Sequence, residues 1–460
     1  MGGRSHFEPP RVTRRAVLAL SVMSVLAACS ALEPVELPSA PSVLNMPAAF
    51  STSASTNAPI SQGLLDLFDD PLLTAAVSEA LSGNLDLRQS AKRLELAGID
   101  LASITAERVP QLSGDINASR GNLSGETVAP TLNVQWEIDL WGRQADQRRA
   151  ARADQTAEGF RHQAMRDSVA AQVMQAWFDA TEARQQYQLE RRRLKVLQRS
   201  ADNTRANFRA GIGALEDLSA IDRDVALSEA RLAENQGRAH DAVRRVEVLL
   251  GQYPDNDLAV PGTLPRLRAT PAPGVPLSVL GARPDMQAAW QDAVAANSRI
   301  AVSQKELLPQ ISLTGQFGST SRDFSALSQG ATVWSLASAL TVPIFEAGRR
   351  RAAIEASKTR ADRAMISYLQ TAVLAFSEVE QALDQESLLA RRETQLVAAV
   401  AHARATEGVF ETRYRAGLAT ILDLLSARSA VFDIQSQLLS VRKDRLNNRV
   451  ALGLALGKGV

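Results

Sequence analysis

The sequence predicts a mainly α-helical protein with a small β part, in which one structural unit occurs twice. Three observations support this fold class. None of the 19 prolines lies in residues 131–253 or 344–460, and these two tracts therefore permit very long helices. Short motifs recur at nearly constant offsets, which indicates internal duplication. Segments of alternating apolar and polar residues precede the predicted long helix of each copy, as is typical of strands with two unlike faces.

The composition argues against several classes of function. Apolar residues make up 45% and charged residues 22% of the chain, a composition unlike that of a helical membrane protein. The formal net charge of +1 provides no basic surface for phosphate backbones, so we expect no nucleic-acid partner. One cysteine and four scattered histidines argue against zinc sites and most histidine-based catalysis. We therefore expect no enzymatic activity, no metal and no cofactor other than a covalent lipid.

Residues 1–28 have the features of a lipoprotein signal peptide. Arginines precede an apolar stretch, Ala16 to Ala28, that ends in small residues. This stretch is shorter than the roughly 20 residues of a membrane-spanning helix. The only cysteine follows at once in Leu26-Ala-Ala-Cys29, which resembles a bacterial lipobox, so we expect lipidation at Cys29. The next residue is Ser30 in place of Asp, which resembles lipoproteins sorted to the outer membrane. Residues 29–68 are predicted to be the lipid anchor and a Ser/Pro/Ala-rich tether.

The duplication divides the rest of the chain into two repeats. Val109-Pro-Gln-Leu-Ser113 recurs as Leu308-Pro-Gln-Ile-Ser312, and Phe208-Arg-Ala-Gly211 recurs as Tyr414-Arg-Ala-Gly417. The offset is larger for the second pair, because extra residues fall between the two predicted strands of the second copy, where a turn tolerates insertion. The predicted domains are repeat one at 69–253, a Pro-rich connector at 254–282 and repeat two at 283–460.

Each repeat is predicted to contain a helix, two strands, a very long helix, a tight turn and a returning helix. The turns are marked by Gly211 and Gly213 and by Gly417, because glycine readily leaves a helix with positive φ. A helix from Gln144 to Ala210 would be about 100 Å long. Narrow apolar stripes favour either a long coiled coil or side-by-side packing into a thin wall. The predicted strands are 111–119, 131–141, 310–318 and 333–345, and the predicted hairpins are 144–250 and 348–456.

The strand at 131–141 has one apolar face and one face of amides and carboxylates. The apolar residues are Leu132, Val134, Trp136, Ile138 and Leu140. At this length a tilted strand spans about 25 Å, the height of the apolar band of an outer-membrane barrel. A half-buried sheet on a water-soluble core is the alternative, but the export signal and Cys29 favour lipid-facing strands. Four strands cannot close in lipid, so several copies must share one barrel; two would contribute eight strands and three would contribute twelve.

The chain contains a series of further motifs: Asp70-Pro-Leu-Leu73, Trp136-Glu-Ile-Asp-Leu-Trp-Gly-Arg143, Arg283-Pro-Asp285, Pro343-Ile-Phe-Glu-Ala-Gly348 and Tyr414-Arg-Ala-Gly-Leu418. In this order and with the duplication, they resemble the outer-membrane factor family of TolC-like channels, and within it the NodT-type lipoproteins of RND efflux systems. The resemblance implies a homotrimer with a shared twelve-stranded β-barrel among outer-membrane lipids and a periplasmic α-barrel of long hairpins. It also implies a periplasmic adaptor (membrane fusion protein) and an inner-membrane RND pump that supplies the energy.

The resemblance also implies where the functional residues lie, at the tips of the helical hairpins. Asp423 matches an aspartate that lines a closed periplasmic aperture, Tyr414 matches a tyrosine of the gate, and Asp217 is the repeat-one counterpart of Asp423. A ring of carboxylates at a constriction would favour cations. Capping of the returning helix is an alternative role for both aspartates. The expected adaptor-docking tips are Arg209, Ala210, Gly211, Arg415, Ala416 and Gly417.

The expected function is therefore that of a passive exit duct in a tripartite RND efflux system. The sequence also allows two alternatives: a lipid-anchored periplasmic coiled-coil adaptor or scaffold, and the exit duct of a type I protein secretion system. The duplicated pairs of alternating strands favour a duct, because an adaptor would not need them.

Overall fold

The computed structural model describes residues 50, 63–121, 125–267, 279, 281–326 and 330–460. Cys29 and the predicted signal peptide lie outside the described residues. The helices and strands are, in chain order, α1 (Pro71–Gly83), α2 (Leu85–Ala106), β1 (Gln111–Gly121), β2 (Gly125–Ile138), α3 (Arg143–Arg209), α4 (Leu215–Leu250), α5 (Pro284–Lys305), β3 (Gln310–Thr320), β4 (Ala331–Thr341), α6 (Arg349–Arg415) and α7 (Ile421–Ala455). Within these ranges, no helix has both the length and the apolar character needed to cross a membrane.

The internal duplication predicted from the sequence is present in the fold. Helices α3 and α6 each contain 67 residues, and strands β1 and β3 each contain 11. Glycines with positive φ occupy equivalent places before and after the long helices, in the pairs Gly142 and Gly348, Gly211 and Gly417, and Gly251 and Gly457. The connection between strands is short in the first copy, at 122–124, and longer in the second, at 321–330. The insertion therefore lies where the sequence placed it.

The described residues form two units, and the first contains the sheet. This unit includes Ala97–Gln155 and Gln291–Ile366. The strand order is β1-β2-β3-β4, and each strand is antiparallel to its neighbours. Strands β1 and β4 are thus the two edges. Within the described part of a single chain, the outward N–H and C=O groups of these edges face no further strand, an arrangement that favours pairing with another chain.

The prediction that Leu140 belongs to a strand is wrong. Strand β2 begins earlier than predicted and ends at Ile138. The next residue, Asp139, accepts hydrogen bonds from the backbone N–H groups of Gln144 (3.2 Å) and Ala145 (3.0 Å), and so fixes the start of α3 instead of extending the sheet. Leu140 consequently lies in the turn between β2 and α3.

The predicted end of the fourth strand is also wrong. Strand β4 ends at Thr341, whereas the sequence pattern placed its end at 345. Pro343 has no N–H to donate to a neighbouring strand, which explains why the sheet pattern does not continue through it. Two residues with positive φ, Ala347 and Gly348, then lead into α6.

The second unit is helical and has its own core. It includes the described residues of Ala40–Leu96, Thr156–Trp290 and Ser367–Val460. The core is formed by α1, the middle of α3 and the C-terminal parts of α4 and α7. The apolar stripe of α3 packs into this core, and its buried members include Val169, Val173, Trp177 and Ala180. This stripe therefore joins helices of the chain to one another.

The Asp70-Pro-Leu-Leu73 motif fixes the first helix to this core. One carboxylate oxygen of Asp70 accepts hydrogen bonds from the N–H groups of Leu72 and Leu73 and caps α1, with Pro71 at the first helical position. The other oxygen accepts a hydrogen bond from the indole N–H of Trp177, at 3.2 Å. One side chain thus starts α1 and ties it to α3.

Helices α1 and α4 approach each other closely at their C-terminal ends. Gly251 has φ = 78°, and a Cβ atom at this position would overlap the carbonyl oxygen of Gly83. The adjacent Asn84 donates a side-chain hydrogen bond to the carbonyl oxygen of Leu249, at 2.8 Å. Only glycine combines the left-handed conformation with this close backbone contact.

Gly251→Ala should therefore destabilise the protein by about 2 kcal/mol or more, because it adds left-handed strain to a backbone overlap. Urea unfolding of the detergent-solubilised protein, followed by circular dichroism, would measure this loss. Gly237→Ala is the matched control, because Gly237 is an exposed residue inside α4 with no neighbouring atom near its Cβ position. We expect the control to be neutral or stabilising by up to about 1 kcal/mol. Equal effects of the two substitutions would contradict the proposed contact.

Candidate functional site

The sheet has a continuous apolar face that crosses all four strands. Residues directly opposite each other in neighbouring strands share a face. Leu132 on β2 lies opposite Phe317 on β3, which in turn lies opposite Trp334 on β4. These three side chains are 49%, 58% and 76% exposed, respectively. An apolar surface of this kind, spread over a sheet, is suited to contact with lipid.

Four of the five residues predicted to face lipid lie on this face in β2. They are Leu132, Val134, Trp136 and Ile138. The indole N–H of Trp136 donates to the carbonyl oxygen of Arg108 (3.0 Å), which satisfies the one polar group of this side chain. Leu140, the fifth, lies beyond the strand end described above.

The opposite face of the sheet is polar. It carries mainly hydroxyl and amide side chains: Gln111, Ser113, Asn117, Thr131, Asn133, Gln135, Gln310, Ser312, Thr314, Gln316, Ser335 and Thr341. Apolar and polar side chains thus predominate on opposite faces of the sheet, the arrangement of strands in a water-filled outer-membrane barrel.

The predicted tip residues lie in two short turns of related geometry. In the first turn, Gly211 has φ = 76°, and the N–H of Ile212 donates to the carbonyl oxygen of Asn207 at 3.0 Å. In the second, Gly417 has φ = 71°, and the N–H of Leu418 donates to the carbonyl oxygen of Arg413 at 2.8 Å. Both turns therefore end a long helix with a Schellman-type bond. The predicted docking residues Arg209, Ala210, Gly211, Arg415, Ala416 and Gly417 are all exposed.

Asp423 caps the helix that follows the second turn. Its Oδ2 atom accepts hydrogen bonds from the N–H (2.9 Å) and the hydroxyl (2.7 Å) of Thr420, while the Thr420 hydroxyl oxygen accepts from the N–H of Asp423. The bonds from Thr420 hold the pKa of the Asp423 carboxyl below its ordinary value, and the nearby Arg413 lowers this pKa further. The structure thus assigns this aspartate a capping role.

Asp217 does not cap the first turn, although the sequence suggested equivalent roles for the two aspartates. The residue in the N-cap position of α4 is Ala214, which has no side-chain acceptor, and no side-chain hydrogen bond caps this helix. Asp217 occupies the third position of α4 and is half-buried. The capping interpretation therefore holds for Asp423 and is wrong for Asp217, because only the second repeat supplies a threonine partner.

Tyr414 belongs to an apolar cluster near the tips. It packs with Phe410 against buried residues from the ends of the long helices, including Leu197, Ile221, Ile421, Leu424 and Leu425. All four long helices of the second unit contribute to this cluster. A movement of one tip would have to disturb contacts of the other, because helices of both hairpins contribute side chains to this cluster.

The tips also expose large apolar side chains that are not among the six predicted docking residues. Ile212 and Leu418, in equivalent turns, are 78% and 69% exposed, and Leu215 and Leu422 at the starts of α4 and α7 are also exposed. The signal was present in the sequence as two apolar residues inside predicted turns. Such residues are uncommon in solvent-facing turns and typical of surfaces that bind a partner.

Comparison with known proteins shows a family match over most of the chain. The profile of the family described as outer membrane efflux protein matches residues 76–252 and 275–458. The cation efflux system protein CusC of Escherichia coli is 28% identical in a match that covers 86% of this chain and 88% of the length of CusC. The probable efflux pump outer membrane protein TtgC of Pseudomonas putida is 29% identical in a match that covers 97% of this chain and 96% of the length of TtgC.

A solved structure of the outer-membrane channel OprN is similar in fold. It superposes with a TM-score of 0.81 and 28% sequence identity, covering 90% of this chain and 97% of OprN. The similarity thus spans both repeats.

Thr420→Ala should speed hydrogen exchange at the start of α7, because it removes the two hydrogen bonds of the Thr420 hydroxyl, one donated to Oδ2 of Asp423 and one accepted from the N–H of Asp423. The folded-state pKa of Asp423 is depressed, so its contribution to the cap is present above the unfolded-state pKa of about 3.9 and is lost as the pH falls through the lower folded-state pKa. The converse variant, Ala214→Thr, places a threonine three residues before Asp217 and should slow exchange at the start of α4. Unchanged exchange in both variants would contradict the assigned cap.

Proposed function

The chain belongs to the outer membrane efflux protein family, and from this premise we propose that it is the passive exit duct of a tripartite RND-type efflux system. The expected family, the TolC-like fold and the outer-membrane location are confirmed by the family match and by the similarity to OprN. The efflux names of CusC and TtgC support a role in export. In this role the chain conducts substrates when docked to a periplasmic adaptor and an inner-membrane pump.

The observation that carries the proposal is the incomplete sheet. Its apolar face is exposed, and its two edges face no further strand among the residues that the structure describes. In lipid, an open edge leaves backbone groups without hydrogen-bond partners, each at a cost of several kcal/mol. Pairing of β4 in one copy with β1 in the next removes every edge. Three copies then form a twelve-stranded barrel with a polar lumen wide enough for solutes.

A lipid-anchored scaffold is a weaker explanation of the same features. A scaffold that stays in the periplasm would leave Leu132, Phe317 and Trp334 in water together, because they form one exposed apolar face. The exit duct of a protein secretion system would use the same barrel, and the efflux relatives favour small-molecule or ion export instead.

The gate and the docking surface are proposed to lie at the hairpin tips. Asp423, Asp217 and Tyr414 would line the aperture formed where the tips of three copies meet. The cap uses Oδ2 of Asp423, and the second carboxylate oxygen retains lone pairs for a partner, so capping and gating are compatible.

The exposed turns that contain Arg209–Gly211 and Arg415–Gly417 would bind the adaptor, with Ile212 and Leu418 as apolar contacts.

The N-terminal segment is proposed to hold the duct in the membrane. Acylation of Cys29 would attach the mature chain to the outer membrane, and several acyl chains are needed for stable anchoring. Each copy of a trimer would carry its own anchor. The Ser/Pro/Ala-rich tether, which contains almost no charge, would span the distance from Cys29 to the first helix.

The proposal predicts a pore-forming trimer whose export depends on the tips. The purified protein should migrate in unheated SDS gels as a trimer and form pores in planar bilayers. The double variant Ile212→Asp and Leu418→Asp should retain the trimer and the pores but lose export, because it places carboxylates in the proposed adaptor contact. Export would be measured as resistance of a deletion strain to a panel of dyes, solvents and copper salts.

Tyr253→Asp is the control for the tip variant, because Tyr253 is a highly exposed apolar residue outside the tips. It should leave resistance unchanged. A detergent-solubilised monomer that forms no pores would overturn the proposed duct. Full resistance in the double tip variant would overturn the docking surface alone.

A further inference from the structure

The polar face of the sheet has an uneven distribution of charge. Among the residues of β1 to β4 that the structure describes, this face carries two carboxylates, Asp115 and Glu137, and no lysine or arginine. The remaining charged residues of the sheet, Arg120 and Glu126, lie opposite each other on the other face, next to the β1–β2 connection. Charge on the polar face is therefore entirely negative.

The two carboxylates differ in their partners. Glu137 forms a salt bridge with Arg143, with 2.7 Å between Oε1 and Nη2, and both side chains are partly buried. This pair contributes little net charge to the surface. Asp115 is exposed and accepts hydrogen bonds from the amide of Asn133 (2.6 Å) and from the hydroxyl of Ser113 (3.4 Å). These neutral donors fix the position of the carboxylate and leave its charge uncompensated.

We propose that Asp115 is a specificity-determining residue that favours cations in the outer-membrane part of the duct. This inference rests on the proposed function, because it requires the polar face of β1 to line a water-filled barrel. In a trimer, the three Asp115 carboxylates would lie at the same height around the lumen. The described residues of this polar face include no lysine or arginine that would balance their charge. Rings of carboxylates favour cations and disfavour anions in a pore. The charge acts independently of the tips, where Asp423 is engaged in a cap.

The range of the effect depends on salt. The Debye length is about 8 Å at physiological ionic strength and about 30 Å at 0.01 M. In a barrel of twelve strands the carboxylates are therefore screened from the pore centre in ordinary buffers and act mainly on solutes near the wall. Their influence should reach further across the lumen at low ionic strength. The experiment therefore needs a probe that reports the electrostatic potential close to Asp115.

A cysteine at position 117 provides such a local probe. Asn117 is on the same strand and the same face as Asp115, about 6.6 Å away along the strand. The natural chain has one cysteine, Cys29, so Asn117→Cys would add a single thiol to the barrel. Protein in outer-membrane vesicles would be labelled with a cationic and with an anionic methanethiosulfonate reagent. Labelling of the natural chain gives the background from Cys29, and Ile116→Cys reports the opposite face of β1.

The cationic reagent should label Asn117→Cys faster than the anionic one. Adding Asp115→Asn should lower the ratio of the two rates by about threefold at low ionic strength. The two proteins should give the same ratio in 1 M salt, where screening removes the field. Ile116→Cys should react with neither reagent, because its side chain would face lipid.

Two other outcomes would contradict different parts of this inference. Labelling at Asn117→Cys with an unchanged ratio in the Asp115→Asn background would overturn the role of Asp115 and leave the proposed duct intact. Reaction at Ile116→Cys in place of Asn117→Cys would show that the faces are reversed and would overturn the lipid-exposed barrel itself.

Discussion

Hydrogen bonding of the strand edges is the constraint on which the rest of the structure depends. A sheet of four strands can satisfy its backbone internally except along β1 and β4. Water can satisfy such edges, but lipid cannot. The apolar face formed by residues such as Leu132 and Trp334 shows that the sheet is suited to lipid. In the proposed duct, the chain therefore carries one part of a barrel wall, and other copies supply the remaining strands.

The duplication explains how one chain can serve such an assembly. Each repeat contributes two strands and one pair of long helices, so a trimer contains six similar units around one axis. Equivalent glycines with positive φ keep the turns alike, as Gly211 and Gly417 show. The two repeats nevertheless differ at the tips, where we propose the gate and the docking surface. Thr420 and Asp423 give the second tip a capping box, whereas Ala214 leaves the first tip without a side-chain cap. The start of α4 is thus held less firmly than the start of α7.

Much of the fold could be predicted from the sequence because its signals are local. The local signals are the proline-free tracts, the glycines at the predicted turns and the alternation of apolar and polar residues in β2. The predicted end of that strand was wrong because Asp139 had two possible roles: continuing the polar alternation or capping α3. Its bonds to the N–H groups of Gln144 and Ala145 decided between them. The periodicity of the sequence does not show whether such a residue extends the strand or caps the following helix.

The candidate site was less accessible to prediction because it depends on pairings between distant parts of the chain. Motif resemblance identified Asp423 and Tyr414, but the shared packing of both tips became visible only in the structure. Asp115 was missed for a related reason. Its importance depends on the register of four strands, which places no cation beside it, and on the contact between Glu137 and Arg143, which removes the other negative charge.

The most direct measurement of the central claim is an electron cryomicroscopy structure of the mature protein in a lipid nanodisc. The proposed duct requires three copies and twelve strands, with β4 of each copy hydrogen-bonded to β1 of the next and the Leu132 face against lipid. A single copy in the nanodisc, or a sheet whose β1 and β4 edges remain open in the membrane, would contradict it.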